Sequence, residues 1–326
     1  MFTLRFDMRT AVGSAPSSAA YSAAVEMCAW SERRGAVVAV LSEHHGTADG
    51  HLAAPQILAS AIAARTSQLA IMLAAVPLPL WDPVRLAEEI CALDLLSGGR
   101  VSYVLGLGHR SEEYEHFGRE LSTRGRVADQ SLALLLRLLS GEEVAHDGRR
   151  IRVTPGCGTP GGPFIAVAGG SRAAARRAAR HGLGFISQSA SADLQQYYEA
   201  ECRLHGHVPG MARFPVRGEP TTIFVADDPD RAWAQIGPHL LHDAVTAASY
   251  RPTDHSVASI SRAESVQAMR DEQAGPYRIV SVDDAVASIR GGTPLPLHPL
   301  CGGLAPEVAW QYLECAVAAS ERARID

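Results

Sequence analysis

Residues 36–45 read AVVAVLSEHH, an apolar run from Ala36 to Leu41 that passes directly into Ser42, Glu43, His44 and His45. An uninterrupted apolar stretch of this length fits a strand buried on both faces of a parallel sheet. In barrels built from such strands, functional side chains stand at the strands' carboxyl ends. An imidazole there can take or give a proton near neutral pH. On these residues alone His44 is equally a proton-transfer group or a rim side chain satisfied by Glu43.

The pattern repeats on both sides of this strand. Phe2, Leu4 and Phe6 alternate with polar residues and open the chain as a strand. Ser17 or Ser18 caps a helix through Arg34, which Gly35 ends. Pro55 opens a second helix to about Arg65, and Leu69 to Val76 form a third strand. Asp82-Pro83 supplies an N-cap with proline at the first helical position, and Ser97-Gly98-Gly99 closes that helix. Val101 to Gly106 make a fourth strand, followed by a helix around Arg126 to Leu139 and a hairpin turn at Asp147-Gly148. Phe164 to Ala168, Gly184 to Gln188, Thr221 to Ala226 and Leu295 to His298 bring the strands to eight, and the last helix runs from Pro306 to about Arg322. Eight strand-helix units predict a single α/β domain over 1–326, a (β/α)8 TIM barrel. An open doubly wound sheet is the alternative.

Two stretches interrupt the rhythm. Thr154 to Pro163 (TPGCGTPGGP) carries too much Gly and Pro for regular structure. Tyr250 to Gly275, polar and containing Pro252, is a loop insertion between strands seven and eight and a candidate lid.

Composition removes several classes. All 30 basic residues are arginine, so lysine Schiff-base and P-loop chemistry are excluded. A net charge of -5 gives no general attraction to nucleic acid or an anionic membrane. No apolar run approaches the roughly 18 residues of a membrane span. The start of the chain has no signal-peptide pattern, and six scattered cysteines without a CxxC pair suggest reduced thiols, so a cytoplasmic location is expected. His239 and His242 are spaced i, i+3 with Asp243 beside them, and His205 and His207 flank a glycine. Neither forms HExxH or a first-strand HxH, so no metal is expected. A Gly-x-Ser-x-Gly elbow is also missing.

Three further strand ends carry candidates. Gly169-Gly170-Ser171-Arg172 combines glycines, a hydroxyl, a guanidinium and the start of a helix, as a phosphate cradle does, or is a plain N-cap. Gly106 to Ser111 (GLGHRS) leaves room for a flat ring beside His109 and Arg110, but lacks the rest of a dinucleotide fingerprint. His298 opens the HPLCGG loop after the last strand and closes a pocket or makes a turn.

Together these segments resemble the bacterial luciferase-like monooxygenases. The matching stretches are LSEHH (41–45), AARTSQLAI (63–71), DPVRLAEEICALDLLSGGRV (82–101), RSEEYEHFG (110–118), AGGSRAAARRAARHG (168–182) and HPLCGGLAPEVAW (298–310). The resemblance implies a (β/α)8 barrel that binds reduced FMN, or in one branch the deazaflavin coenzyme F-420. It implies His44 as the catalytic residue and Ser171 on the flavin phosphate with Gly169 and Gly170 before it; Arg172 or Arg110 is the substitute cation, or flavin binds weakly as a diffusible substrate. It also implies a non-prolyl cis peptide at Ala74-Ala75 beneath the ring, with Gly106 beside it. Glu43, His45, His109, Arg110 and His298 are the supporting candidates. Leu107 stands where the luciferase carries a phosphate-binding arginine, and Ser111 where the deazaflavin sugar-phosphate dehydrogenases carry an acid. The activity implied is a two-component monooxygenase taking O2, a small organic substrate and flavin from a separate reductase. Deazaflavin hydride transfer and a non-catalytic flavin-binding partner subunit are the alternatives. A homodimer packed through the alanine-rich helices at 54–65 and 83–96 is expected.

Overall fold

The computed structural model describes residues 1–11, 17–216, 218–251, 253–254, 256–272 and 274–325. Pro252 of the expected lid lies outside them. The strands are β1 (Phe2–Phe6), β2 (Ala36–Leu41), β3 (Ala70–Pro77), β4 (Val101–Gly106), β5 (Val144–His146), β6 (Arg149–Ile151), β7 (Ile165–Gly169), β8 (Gly184–Ser187), β9 (Ala212–Arg213), β10 (Thr222–Ala226), β11 (Tyr277–Ser281) and β12 (Leu295–Leu297). The helices are α1 (Ser18–Ser31), α2 (Pro55–Arg65), α3 (Pro83–Ser97), α4 (Ser111–His116), α5 (Arg124–Leu139), α6 (Arg172–Arg180), α7 (Ala192–Leu204), α8 (Pro229–Ser249), α9 (Val266–Asp271), α10 (Val282–Arg290) and α11 (Pro306–Ile325).

Local chemistry sets many of these boundaries. Ser17 caps α1 by accepting from the Ala19 amide, and Gly35 ends the following turn at φ 113°. Asp82 accepts from the Val84 and Arg85 amides, with Pro83 at the first helical position, and Gly98 closes α3 in the left-handed region. Asp147 and Gly148, both at positive φ, turn the β5–β6 hairpin. The 154–163 stretch contains no helix or strand.

One sheet holds ten strands in the order β11-β10-β12-β1-β2-β3-β4-β7-β8-β9, and every pair in it is parallel. The eight strands read from the sequence are all present, and those from β12 through β1 to β8 are neighbours in barrel order. The fold is therefore α/β, with its helices drawn from the connections between parallel strands. No ladder joins β9 to β11 among the described residues. Two sheet strands had no forecast: β9 is too short to leave a pattern, and β11 with α10 follows the 250–275 insertion and lengthens the connection between β10 and β12. That insertion contains α9 and is tied down where Val257 bridges Ser189 and the Ala258 amide donates to the Gln188 carbonyl at 3.2 Å.

Phe2, Leu4 and Phe6 are fully buried, as are Leu41, Ile71 and Leu73 on adjacent strands. Each such side chain contributes about 1.5–3 kcal/mol relative to an exposed one. Because the strands run parallel, the carboxyl ends of β1, β2, β3, β4, β7 and β8 all point to one edge, and their loops converge there. All six cysteines are free; Cys91 and Cys157, 66 residues apart in sequence, bring their sulfurs to 3.1 Å.

Candidate active site

A cavity of about 520 Å³ opens at that edge. Ala74, Ala75, Gly106 and Ala168 line one part of it with almost no side-chain bulk. The Ala74-Ala75 peptide is cis, and the β3–β4 ladder skips Ala75, pairing Ala74 with Val104 and Val76 with Leu105. A Cβ on Gly106 would sit 3.2 Å from the Ala75 Cβ, so any side chain there narrows the opening. This lining suits a flat aromatic ring.

Gly169, Gly170 and Ser171 border the same cavity. Ser171 is the N-cap of α6, its hydroxyl oxygen accepting from the Ala174 amide at 3.3 Å. The cradle admits no larger residues: a Cβ at Gly169, whose φ is 153°, would meet the Ala174 Cβ at 2.6 Å, and one at Gly170 would meet the Ser189 Oγ at 2.5 Å. The first-turn amides of α6 and their dipole favour an anion. Leu107 lines the cavity through a neutral side chain, and its carbonyl accepts from the Tyr114 hydroxyl. Arg124, the first residue of α5, lines the cavity as well. Arg172 does not; its exposed guanidinium stacks over the Tyr197 ring at 5.1 Å.

His44 faces the cavity from the end of β2. Its Nδ1 lies 2.7 Å from Glu113 Oε1, an oxygen that also accepts from the His45 amide at 3.0 Å and lies 3.5 Å from Arg110. Burial raises the Glu113 carboxyl, but the His44 bond, the His45 amide and Arg110 outweigh it and leave the pKa below the ordinary glutamate value. An ionised Glu113 can only accept, so the proton on this contact belongs to His44 Nδ1 and Nε2 is left for the cavity. Three rings surround it: His51 at 4.7 Å, Tyr250 at 5.3 Å and His109 at 5.8 Å. His51 has its pKa pushed well below the usual range by burial, so it adds a neutral ring.

The remaining candidates divide between lining and support. Glu43 borders the cavity and is held by His45 Nε2 and Trp81 Nε1, both at 2.9 Å; burial raises its pKa against the pull of His45. His45 does not line the cavity and packs edge-on against Phe117. Arg110 lies outside the lining too: its guanidinium donates to the His45 carbonyl at 3.1 Å and covers the Tyr250 ring at 4.3 Å. His109 lines the cavity and meets Arg251. His298 is fully buried away from it, 3.4 Å from Asp7.

Asp7 and His298 belong to a buried charge network. Arg9 Nε lies 3.3 Å from Asp7 and 3.5 Å from Asp243, its Nη1 lies 3.4 Å from Asp49, and the Tyr277 hydroxyl donates to Asp243 at 2.6 Å. Burial opposes ionisation of Asp7, yet His298 and Arg9 hold it well below the usual carboxylate range. Asp243, His298 and Cys301 bring ligand-type atoms within 4.8 Å of one another, a grouping different from the His239/His242 spacing in the sequence. Tyr277 donates to one Asp243 oxygen, and the other faces the Arg9 guanidinium at 3.5 Å.

Glu113, Arg124, Gln188, Tyr250 and Arg251 were not singled out as site residues from sequence. Glu112 and Glu113 are chemically identical neighbours, and only the face that α4 presents to the core buries the second and exposes the first. No local signal distinguishes them. Because the folded pKa of Glu113 is lowered, its ionised form stabilises the fold at and above the ordinary glutamate value, and that contribution is lost as pH falls through the lowered one. Urea unfolding from pH 7 to pH 3 should show the advantage of wild type over Glu113→Gln shrinking across that interval; a constant difference would rule out an ionised carboxylate.

The sequence profile of the luciferase-like monooxygenases matches residues 3–287, and the chain belongs to that family. Alkanal monooxygenase alpha chain from the Kryptophanaron alfredi symbiont is 28% identical over 188 residues, covering 54% of this chain and 52% of its own. Limonene 1,2-monooxygenase from Rhodococcus erythropolis is 30% identical over 106 residues, 32% of this chain and 27% of its own. These matches thus reach about half or less of the relatives' length. Among solved structures, monooxygenase RslO1 from Streptomyces bottropensis superposes with a TM-score of 0.75 at 19% identity over 98% of both chains. The oxygenating constituent of 3,6-diketocamphane monooxygenase from Pseudomonas putida, solved in complex with FMN, gives 0.69 at 17% identity, over 98% of this chain and 97% of that one. Among the described residues no helix is long and apolar enough to cross a membrane.

Proposed function

We propose that the protein is a flavin-dependent monooxygenase that uses reduced FMN, delivered by a separate reductase, and O2 to oxygenate a small organic substrate. The observation that carries this reading is the meeting in one cavity of the His44–Glu113 pair, a lining of Ala74, Ala75 and Gly106, and the N-terminus of α6. The FMN complex of the camphane monooxygenase and the alkanal and limonene monooxygenases among the relatives support it. Reduced flavin, when bound, supplies the electrons that activate O2. The chain's own residues hold and enclose it. The α6 amides, Ser171 and Arg124 would bind the phosphate, Arg124 supplying the charge that Leu107 lacks. His44 Nε2 would give or take the proton that oxygen transfer requires, while Glu113 keeps the opposite nitrogen protonated. Tyr250, Val257 and Ile260, from the 250–275 segment, line the cavity and would help to exclude water once flavin and substrate fill it.

Removing the phosphate contacts provides the test. Arg124→Met and Ser171→Ala should each weaken reduced FMN roughly 10-fold, the effect of losing one charge-assisted hydrogen bond, and leave reduced riboflavin unchanged. Fluorescence titration under anaerobic conditions measures both. Equal loss for the two flavins would place the phosphate elsewhere. Reduced F-420 in the same titration separates the deazaflavin alternative, with oxygen uptake as the second readout. A retained His44–Glu113 pair has no use in a non-catalytic subunit, which favours the enzyme. A cytoplasmic homodimer completes the reading: α2 exposes Ile57 and α3 exposes Leu96, and the two border one groove. Sedimentation should show Ile57→Arg shifting the protein toward monomer.

A further inference from the structure

His109 and Arg251 lie 142 residues apart in the sequence and meet in the lining of the cavity. His109 follows β4; Arg251 follows α8 at the start of the 250–275 segment. Arg251 Nη2 lies 3.2 Å from His109 Nδ1 and 3.1 Å from Gln188 Oε1, and its Nη1 lies 3.1 Å from Asp254 Oδ2. A guanidinium has donors and no acceptor. The His109 nitrogen that faces it must therefore carry a lone pair, so a neutral His109 has its proton on Nε2. Burial, with Arg251 and His44 adding to it, pushes the His109 pKa down to about 3, so the ring is neutral throughout the working range.

The Nε2 proton is then a donor with no acceptor: that atom is buried and has no hydrogen-bond partner. Leaving such a donor unmatched is unfavourable, and the ring lines the cavity edge-on to His44 at 5.8 Å. Glu113, whose charge acts on His109, is committed to His44, His45 and Arg110.

We propose that His109 is a neutral hydrogen-bond donor that binds a carbonyl oxygen of the substrate beside His44, with Arg251 as the positioning residue that holds its tautomer. The proposal rests on the reading of this cavity as the substrate site. It also gives the 250–275 segment a chemical task. The segment is seated on β8 through the Ser189–Val257 bridge and the Ala258–Gln188 bond, and that seat brings Arg251 to His109. A substrate without an oxygen acceptor at that point would leave Nε2 unmatched, so ketones or aldehydes are preferred over the corresponding hydrocarbons.

Two measurements on the flavin-free full chain test this. In histidine-labelled protein, long-range proton–nitrogen correlation should show His109, assigned by loss of its signal in His109→Phe, protonated only on Nε2 from pH 6 to 8. Arg251→Met should release the ring into a mixture of its two neutral tautomers. A wild-type His109 that is charged or protonated on Nδ1 overturns the proposal, as does an unchanged tautomer in Arg251→Met. In the second measurement, 2-heptanone should bind roughly 10-fold tighter than heptane, in line with one satisfied hydrogen bond, and shift the His109 Nε2 resonance. The preference should vanish in His109→Phe and partly return in His109→Gln, which keeps a donor. If His109→Phe keeps the ketone preference, or instead weakens only reduced FMN, the donor serves another ligand and the proposal fails. Neither measurement contains flavin, so a failed flavin titration counts against the proposed function alone.

Discussion

Alanine in place of His44 is expected to lower oxygen uptake that yields oxidised substrate by about 100-fold or more, with reduced-FMN affinity changed less than about threefold. His44 lines the cavity, with Nδ1 tied to Glu113 and Nε2 left for chemistry. No other imidazole among the described residues offers a replacement. His51 and His109 are neutral rings with pKa values far below 7, and His45 is committed to Glu43 outside the lining. Flavin binding is assigned to other residues, so binding and turnover should separate. His44→Gln keeps similar bulk and hydrogen bonding but cannot exchange a proton at neutral pH, and should fall nearly as far. Full substrate oxidation by the alanine variant would end the assignment.

The largest stability effect is expected from Asp243→Ala, about 3–5 kcal/mol, because it leaves buried Arg9 without one of the three carboxylates within 3.5 Å of it and Tyr277 without its acceptor. Asp243, Asp7 and Arg9 have side-chain exposures of 1%, 0% and 4%, so water cannot replace the lost partner. Tyr277→Phe removes only the hydroxyl and one neutral partner of the carboxylate, and should cost about 1–2 kcal/mol. Urea unfolding of the three proteins at pH 7 measures both. Asp243→Ala within about 1 kcal/mol of wild type would mean that Asp7 and Asp49 alone satisfy Arg9.

Much of the fold was legible because its signals are local. Six consecutive apolar residues before Ser42 describe β2, proline after Asp82 opens α3, and glycine after Asp147 turns the hairpin. Each depends on residues within one turn or one strand. β9 and β11 escaped because a two-residue strand has no period, and because Tyr277–Ser281 becomes a strand only by pairing with β10. The site divides in the same way. His44, Gly106 and Gly169 to Ser171 were visible as chemistry standing at strand ends. Their partners were hidden: Glu113 lies 69 residues from His44, and Arg251 lies 142 from His109.

The amino-acid sequence by itself determined the alternation of strands and helices, the strand-end position of His44, and the exclusion of lysine chemistry. These follow from side-chain period, capping and composition, which act over a few residues. Only the tertiary structure decided which nitrogen of His44 is tied, that Arg172 turns away while Arg124 lines the cavity, that His298 is buried against Asp7, and that Arg251 selects the His109 tautomer. Protonation and hydrogen-bond direction depend on what lies within about 3 Å in space. Parallel strand pairing brings those neighbours together from positions far apart in the chain.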